Sequence, residues 1–189
     1  MVNNYNKDIL AYFDRVKQTL DKIDIGEINN AMNAIVDVYE RGGIIYIFGN
    51  GGSAATASHF VCDFNKGISE QREKKFNLIC LNDNIPIVMA IANDIGYDEI
   101  FSFQLKNKLN QIDLVIGISG SGNSENVINA VMYAKDCCVK TIGITGYAGG
   151  KLREISDYSM HVPLDDMQVV EDIHMIFNHV MMRVFGDRL

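Results

Sequence analysis

Three of the chain's four histidines sit near carboxylates in patterns that suit metal binding or proton transfer. His59 and Asp63 are four residues apart, one helical turn, so both side chains would leave the same helix face and could reach one cation. The same spacing also describes an ordinary surface ion pair. Near the C-terminus the run from Glu171 to His179 places Glu171, His174 and His179 in a helical pattern otherwise lined with Val, Ile, Met and Phe. Each is a candidate ligand or acid–base group. The plainer alternatives are a first-turn carboxylate favoured by the helix dipole for Glu171 and a packed core histidine for His179. Glu171 and His179 are eight residues apart, roughly 12 Å along a straight helix. Side chains so spaced do not meet at one metal ion. Either the helix begins later than its pattern suggests, or the two residues serve different copies of the site in an oligomer. His161, at the end of an expected strand, is read as incidental.

A second chemistry is anion binding. The chain reads Ile-Ile-Tyr-Ile-Phe-Gly-Asn-Gly-Gly-Ser over 44–53 and Leu-Val-Ile-Gly-Ile-Ser-Gly-Ser-Gly-Asn-Ser over 114–124. Twice an apolar run breaks into Gly, Ser and Asn ahead of a helical pattern, the sequence form of a strand, a phosphate-cradling turn and a helix N-terminus. Ser53, Ser119, Ser121 and Ser124 offer short hydroxyl donors. A helix starting near Gly122 would add free backbone N–H groups. Neither loop contains Lys or Arg, so binding would rest on neutral donors and helix dipoles, which favours reversible capture of a compact dianion such as a sugar phosphate. Gly49-Asn50-Gly51-Gly52-Ser53-Ala54 also fits the dinucleotide fingerprint G-x-G-x-x-A. That reading expects an acidic residue about 20 positions on, whereas Asp83 lies about 30 past the loop and a second serine loop is unneeded.

The elements that must carry these groups follow from periodicity. Strands are expected at 44–48, 76–81, 114–118, 140–145 and 157–162, mostly as continuous apolar runs, which is how strands buried on both faces read. Helices are expected at 53–66, 84–92, 98–109, 122–136 and 166–185, and over 4–40 with a break within 21–27, where Gly26 lies; Gly42 and Gly43 end this N-terminal segment. Alternating strands and helices imply a doubly wound parallel α/β sheet, in which ligands bind at the carboxyl ends of the strands. At 189 residues, with two prolines and no linker composition, one domain is expected. A net charge of −7 argues against nucleic acid as a partner, and no apolar stretch is long enough to span a membrane. The polar N-terminus does not read as a signal peptide, and the four cysteines, none in Cys-x-x-Cys spacing, read as reduced buried thiols; a cytoplasmic location is expected.

In order along the chain, Gly-Asn-Gly-Gly-Ser-Ala-Ala-x-Ala-x-His-Phe, Ile-Ala-Asn-Asp (91–94), Ile-Ser-Gly-Ser-Gly-Asn-Ser, Ile-Thr-Gly-Tyr-Ala-Gly-Gly-Lys-Leu (144–152) and Glu-Asp-Ile-His (171–174) resemble the sugar isomerase (SIS) domain family, and within it the phosphoheptose isomerases. The resemblance covers nearly the whole chain. It implies a single SIS domain over 1–189, a three-layer α/β/α sandwich on a five-stranded parallel flavodoxin-like sheet. The N-terminal helical segment 1–41 would pack on the domain or on partner subunits. It implies an aldose–ketose isomerase that converts D-sedoheptulose 7-phosphate to D-glycero-D-manno-heptose 7-phosphate in bacterial heptose synthesis. It further implies a homotetramer with active sites between subunits and a divalent metal, zinc first.

Carried across, Ser53, Ser119, Ser121 and Ser124 match phosphate-binding positions, with Gly52, Gly120 and Glu171 beside the substrate. Asn50, Gly51 and Asp94 match positions lining the sugar. His59, Asp63, Glu171 and His179 match the metal ligands, and Asp63 and His179 double as the acid–base pair. Three positions depart from the family's pattern. Asp63 replaces a common Glu and is one methylene shorter, Glu171 replaces a usual Gln, and Val169-Val170 stand where an Arg-Ile pair is common. The rival within the family is a non-catalytic phosphosugar-binding scaffold similar to the DnaA initiator-associating protein, which would have no need of the four ligand-capable residues together.

Overall fold

The computed structural model describes residues 3–189. Five parallel strands form one sheet: β1 (Ile45–Gly49), β2 (Leu78–Cys80), β3 (Leu114–Ser119), β4 (Lys140–Thr145) and β5 (Tyr158–His161), in the order β2-β1-β3-β4-β5. The chain moves one way from β1 to β2 and returns past it to β3, so the switch point lies between β1 and β3, which pair from Ile45↔Leu114 to Gly49↔Ile118. Both glycine-serine loops therefore leave the same end of two neighbouring strands.

The central strands β1 and β3 are buried along their whole length because each alternates its side chains between two covered faces, whereas the edge strands β2 and β5 are covered only in part. Ile45 and Ile47, with Leu114, Ile116 and Ile118, share one core with Phe60, Phe64, Ile173 and Phe177; Tyr46, Phe48 and Val115 share the other with Phe101, Leu105, Val127 and Val131. The first face is covered by α2 (Ile25–Arg41), α3 (Gly52–Cys62) and α8 (Met167–Arg188), whose buried residues at helical spacing, such as Ile28, Ala31, Ile35 and Val38 of α2, form stripes. The second is covered by α4 (Ile85–Asp94), α5 (Ser102–Leu105), α6 (Glu125–Asp136) and α7 (Gly150–Ile155). This is the expected α/β sandwich.

Several boundaries differ from the sequence expectation. The N-terminal segment is α1 (Asn6–Leu20) and α2, and the break is made not by Gly26, which lies inside α2, but by Asp24, whose Oδ1 accepts from the N–H groups of Gly26 and Glu27 at 2.8 and 3.2 Å. The expected helix 53–66 is α-helical only to Cys62 and continues as a π-helical turn, Asp63–Ile68. The expected helix 98–109 shrinks to a 3₁₀ turn, Tyr97–Glu99, and the four residues of α5; Asn107 beyond it has φ 61°. The apolar spacing there reports burial of Ile100, Phe101 and Leu105 rather than a continuous helix. The short α7 was not expected. All four cysteines are free thiols, but only Cys80 is buried, with its thiol pushed up to about 12 by that burial; Cys62 and Cys138 are exposed.

α1 lies on α8: Tyr12 donates to Asp172 Oδ2 at 2.5 Å and Arg15 pairs with Asp166 at 2.9 Å. That hydrogen bond, with some desolvation, raises the Tyr12 phenol to about 12. Its other face leaves Ile9, Leu10 and Phe13 about half exposed.

Candidate functional site

The serine cradle is built by backbone that only glycine can follow. Gly51 adopts φ 54°, ψ −120° at the N-terminus of α3, and Gly122 adopts φ 69° with its Cβ position 1.9 Å from the Gly149 carbonyl oxygen. Gly49 passes so close to β3 that a Cβ would lie 2.8 Å from Ile118 O. Asn82 grips the same residue: its Nδ2 donates to Gly49 O at 2.9 Å and its Oδ1 accepts from Gly49 N at 3.2 Å. This brings Ser53, on the first turn of α3, to a pocket of about 150 Å³ shared with Ser119, Ser121 and Ser124. Ser119 Oγ lies 3.0 Å from Ser124 Oγ and 3.5 Å from Ser121 Oγ. No Lys or Arg lines this pocket.

The expected helix start near Gly122 is shifted. α6 starts at Glu125, with Ser124 as its N-terminal flank, and the Gly122 N–H is already tied to Ser119, at 3.0 Å from its carbonyl and 3.1 Å from its Oγ. Gly122 thus shapes the loop but offers no free donor. The hydroxyls that accept these bonds keep their own protons to donate.

Asn50 is held by two residues that the motif reading missed. Its amide exchanges reciprocal bonds with Asn126, 2.9 Å each way, and its Oδ1 accepts from Tyr97 OH at 2.9 Å. Asn126 is 2% exposed, a polar residue on the core side of α6, and that placement was its only signal. Asp94, at the end of α4, is exposed and accepts from Asn93 at 2.7 Å; among the described residues no hydrogen bond links it to the cradle. A larger cleft, about 290 Å³ beside Asp37, Arg41 and Lys140, lies at the opposite, amino ends of the strands, away from where such sheets bind ligands.

The second group of residues lies further along the same two helices. His59 and His179 approach with their Nε2 atoms 3.3 Å apart, and Asp63 Oδ2 lies 3.2 Å from His59 Nε2 and 3.8 Å from His179 Nε2. Tetrahedral zinc with ligands at about 2.0–2.1 Å has ligand–ligand edges of roughly 3.3 Å; the two separations from His59 match that edge at 3.3 and 3.2 Å, and the Asp63–His179 separation, at 3.8 Å, is longer. Both histidines are about half exposed while Asp63 is largely covered. Asp63 Oδ2 also accepts from Asn178 Nδ2 at 2.6 Å.

Glu171 does not join this cluster within the chain. It sits about two turns earlier on α8, with its carboxylate against the start of α3: a Cβ on Gly52 would meet its oxygens at 2.5 and 2.6 Å. A side chain at position 52 would displace this carboxylate, and the helix N-terminus offsets the carboxylate's charge. His174 points into the core instead. Its Nε2 donates to Thr145 O at 3.1 Å, its Nδ1 has no partner among the described residues, and burial lowers its pKa to about 4. His161 shares the same strand end, 3.0 Å from Thr145 Oγ1, its pKa lowered first by burial and then by Arg153.

Residues 5–146 match the model of the SIS domain. The chain is 35% identical over 183 residues to the phosphoheptose isomerase of Aliarcobacter butzleri, covering 97% of this chain and 96% of that one. Among solved structures, phosphoheptose isomerase GmhA from Neisseria gonorrhoeae is similar with a TM-score of 0.87 at 30% identity, covering 96% of this chain and 98% of that one. A phosphoheptose isomerase from Francisella tularensis is similar with a TM-score of 0.90 at 27% identity, covering 98% of this chain and all of that one.

Proposed function

The chain belongs to the SIS domain family, and from that premise we propose that it interconverts D-sedoheptulose 7-phosphate and D-glycero-D-manno-heptose 7-phosphate. It is an isomerase. The observation that carries the mechanism is that α3 and α8 each span both chemistries. α3 presents Ser53 to the phosphate cradle and, six residues or roughly 9 Å on, His59 and then Asp63. α8 runs from Glu171 beside the cradle to His179. A phosphate gripped at one end leaves the carbonyl end of an extended sugar to reach the acid–base groups at the other.

Moving a carbonyl between C1 and C2 needs a group that takes a proton from one carbon and returns it to the other. Asp63 is assigned that role, with His179 as the partner that protonates or deprotonates the neighbouring oxygen. A divalent ion held by His59, Asp63 and His179, zinc by its ligand set, would supply an electrophile for the enediolate oxygens. Asn50, fixed by Asn126 and Tyr97, is placed to hold sugar hydroxyls, as are Gly51 and Asp94. The phosphate contacts of Ser53, Ser119, Ser121 and Ser124, flanked by Gly52 and Gly120, contribute orientation.

We assign the working form to a homotetramer in which Glu171 completes the ligand set of another subunit, with the whole chain as a single SIS domain and residues 1–41 packing on it and on neighbours. The separation of Glu171 from the cluster supports this, as do the small open cradle and the exposed Ile9, Leu10 and Phe13. The free thiols suit a reducing, cytoplasmic setting. No described helix is long and apolar enough to cross a membrane. The product would enter bacterial heptose synthesis. Incubation with sedoheptulose 7-phosphate in D2O, followed by NMR with and without a chelator, tests the reading. Turnover with deuterium at C2, lost on verified metal removal and regained with zinc, is the expected result. No turnover and no exchange with metal supplied would refute the isomerase, and turnover surviving metal removal would refute the metal.

A further inference from the structure

The buried face of α8 runs Val169, Val170, Ile173, His174, Phe177, Asn178, Met181 and Phe185. Asn178 is polar in a position that the helical stripe reserves for an apolar side chain, and it is completely buried. Among the described residues its amide makes one hydrogen bond, from Nδ2 to Asp63 Oδ2 at 2.6 Å, and its Oδ1 has no partner. An unpaired buried carbonyl is a standing cost, which the bond made by the other half of the amide must offset.

The bond is short, as expected for a donor on a carboxylate, and falls on the oxygen that faces both histidines, 3.2 Å from His59 and 3.8 Å from His179. A carboxylate oxygen accepts along two lone-pair directions. With one taken by Asn178 from inside the protein, the other is directed outward to the histidine pair. Asp63 is also where α3 gives way to the π-helical turn, its backbone still helical at φ −65°, ψ −41°.

We propose that Asn178 is a positioning residue that aims the Asp63 carboxylate at His59 and His179. It makes the short aspartate serve where the family resemblance leads one to expect glutamate. The inference rests on the reading of these three residues as a metal and acid–base centre. Asn178 itself touches neither substrate nor metal. Groups that support ligating carboxylates in this way typically change metal affinity or activity by about 10–100-fold when removed.

The alternative is that the amide merely ties α8 to α3. The two ideas separate in Asn178→Leu, which removes the donor and the unpaired carbonyl together and restores the apolar stripe. Three readouts on the full-length protein are compared with the unaltered chain: Co2+ affinity by visible absorbance under chelator competition, the melting temperature of the metal-free form, and kcat and KM for sedoheptulose 7-phosphate. Positioning predicts about 10–100-fold weaker Co2+ binding and a comparable fall in kcat, with KM within about twofold and a melting temperature unchanged or raised. Co2+ affinity and kcat within about twofold of the unaltered chain would overturn it, as would losses matched by a lowered melting temperature. If Asn178→Leu does not fold, Asn178→Ala decides on Co2+ affinity and kcat alone, against the same thresholds. An unaltered protein that binds no Co2+ overturns both this inference and the proposed metal centre. An unaltered protein that binds and turns over, with the Leu variant its equal, overturns this inference only.

Discussion

The serine cradle and the histidine–aspartate cluster are joined by the same two helices but are built on opposite terms. The cradle is fixed by backbone. Gly51 and Gly122 take conformations closed to other residues, Asn82 pins the end of β1, and Ser53 and Ser119 are almost fully buried before any ligand arrives. The cluster is fixed by side chains. His59 and His179 stand about half exposed on separate helices, and what orders them is a carboxylate held by one buried amide. A binding handle can be preorganised by turn geometry, whereas groups that exchange protons need side-chain freedom and are supported from behind.

That contrast can be broken from either end. The largest effect is expected on the cluster. Asp63→Asn removes the proposed base and should lower kcat by roughly 10²–10⁴-fold, with KM changed only a few-fold and deuterium exchange at C2 lost in parallel. A variant retaining a tenth of the rate would move the base elsewhere. In the cradle the matching change is Gly122→Ala, where a Cβ meets the Gly149 carbonyl at 1.9 Å and φ is positive. A cost of about 3 kcal/mol is expected from overpacking and strain combined, read as a lowered urea midpoint.

His174 gives a pH test of the core beneath both regions. Buried and neutral in the fold, it titrates at about 4 rather than at its ordinary 6.5. Below pH 6.5 the unfolded chain takes up a proton that the folded chain refuses. This contribution is therefore intact above 6.5, falls as pH drops, and levels off below about 4, a total on the order of 3 kcal/mol. Urea midpoints between pH 4 and 7.5 should show the slope, and His174→Gln should reduce it, leaving the smaller part that the lowered pKa of His161 contributes. The smallest effect belongs to a single proposed phosphate donor: Ser119→Ala should raise KM about tenfold, one hydrogen bond to an anion, with kcat near that of the unaltered chain. An equal fall in kcat would mean that the cradle also shapes the transition state.

Much of this was legible in the residues. Most of the five strands read as apolar runs, and 140–145 coincides with β4. Expected strand 76–81 survives only as Leu78–Cys80, since β2 is an edge strand paired on one side. Helix 98–109 failed because burial at Ile100, Phe101 and Leu105 mimics helical periodicity over a stretch that turns instead. In the site, Ser53, Ser119, Ser121 and Ser124 announced themselves through turn chemistry. Asn126, Tyr97 and Asn178 did not, because an isolated polar residue carries no pattern until its partner is known.

By itself the sequence determined the local elements: which segments are strands, where the glycine loops follow them, and that His59 and Asp63 share a helix face. These depend on periodicity and backbone preference within a few residues. Only the tertiary structure decided that β1 and β3 are neighbours, so that two loops 70 residues apart form one cradle. It alone placed Glu171 against Gly52, brought His59 to His179, and set Asn178 on Asp63 across 115 positions of chain. Such contacts depend on how packed stripes settle the relative height and rotation of α3 and α8, which no short window of residues encodes.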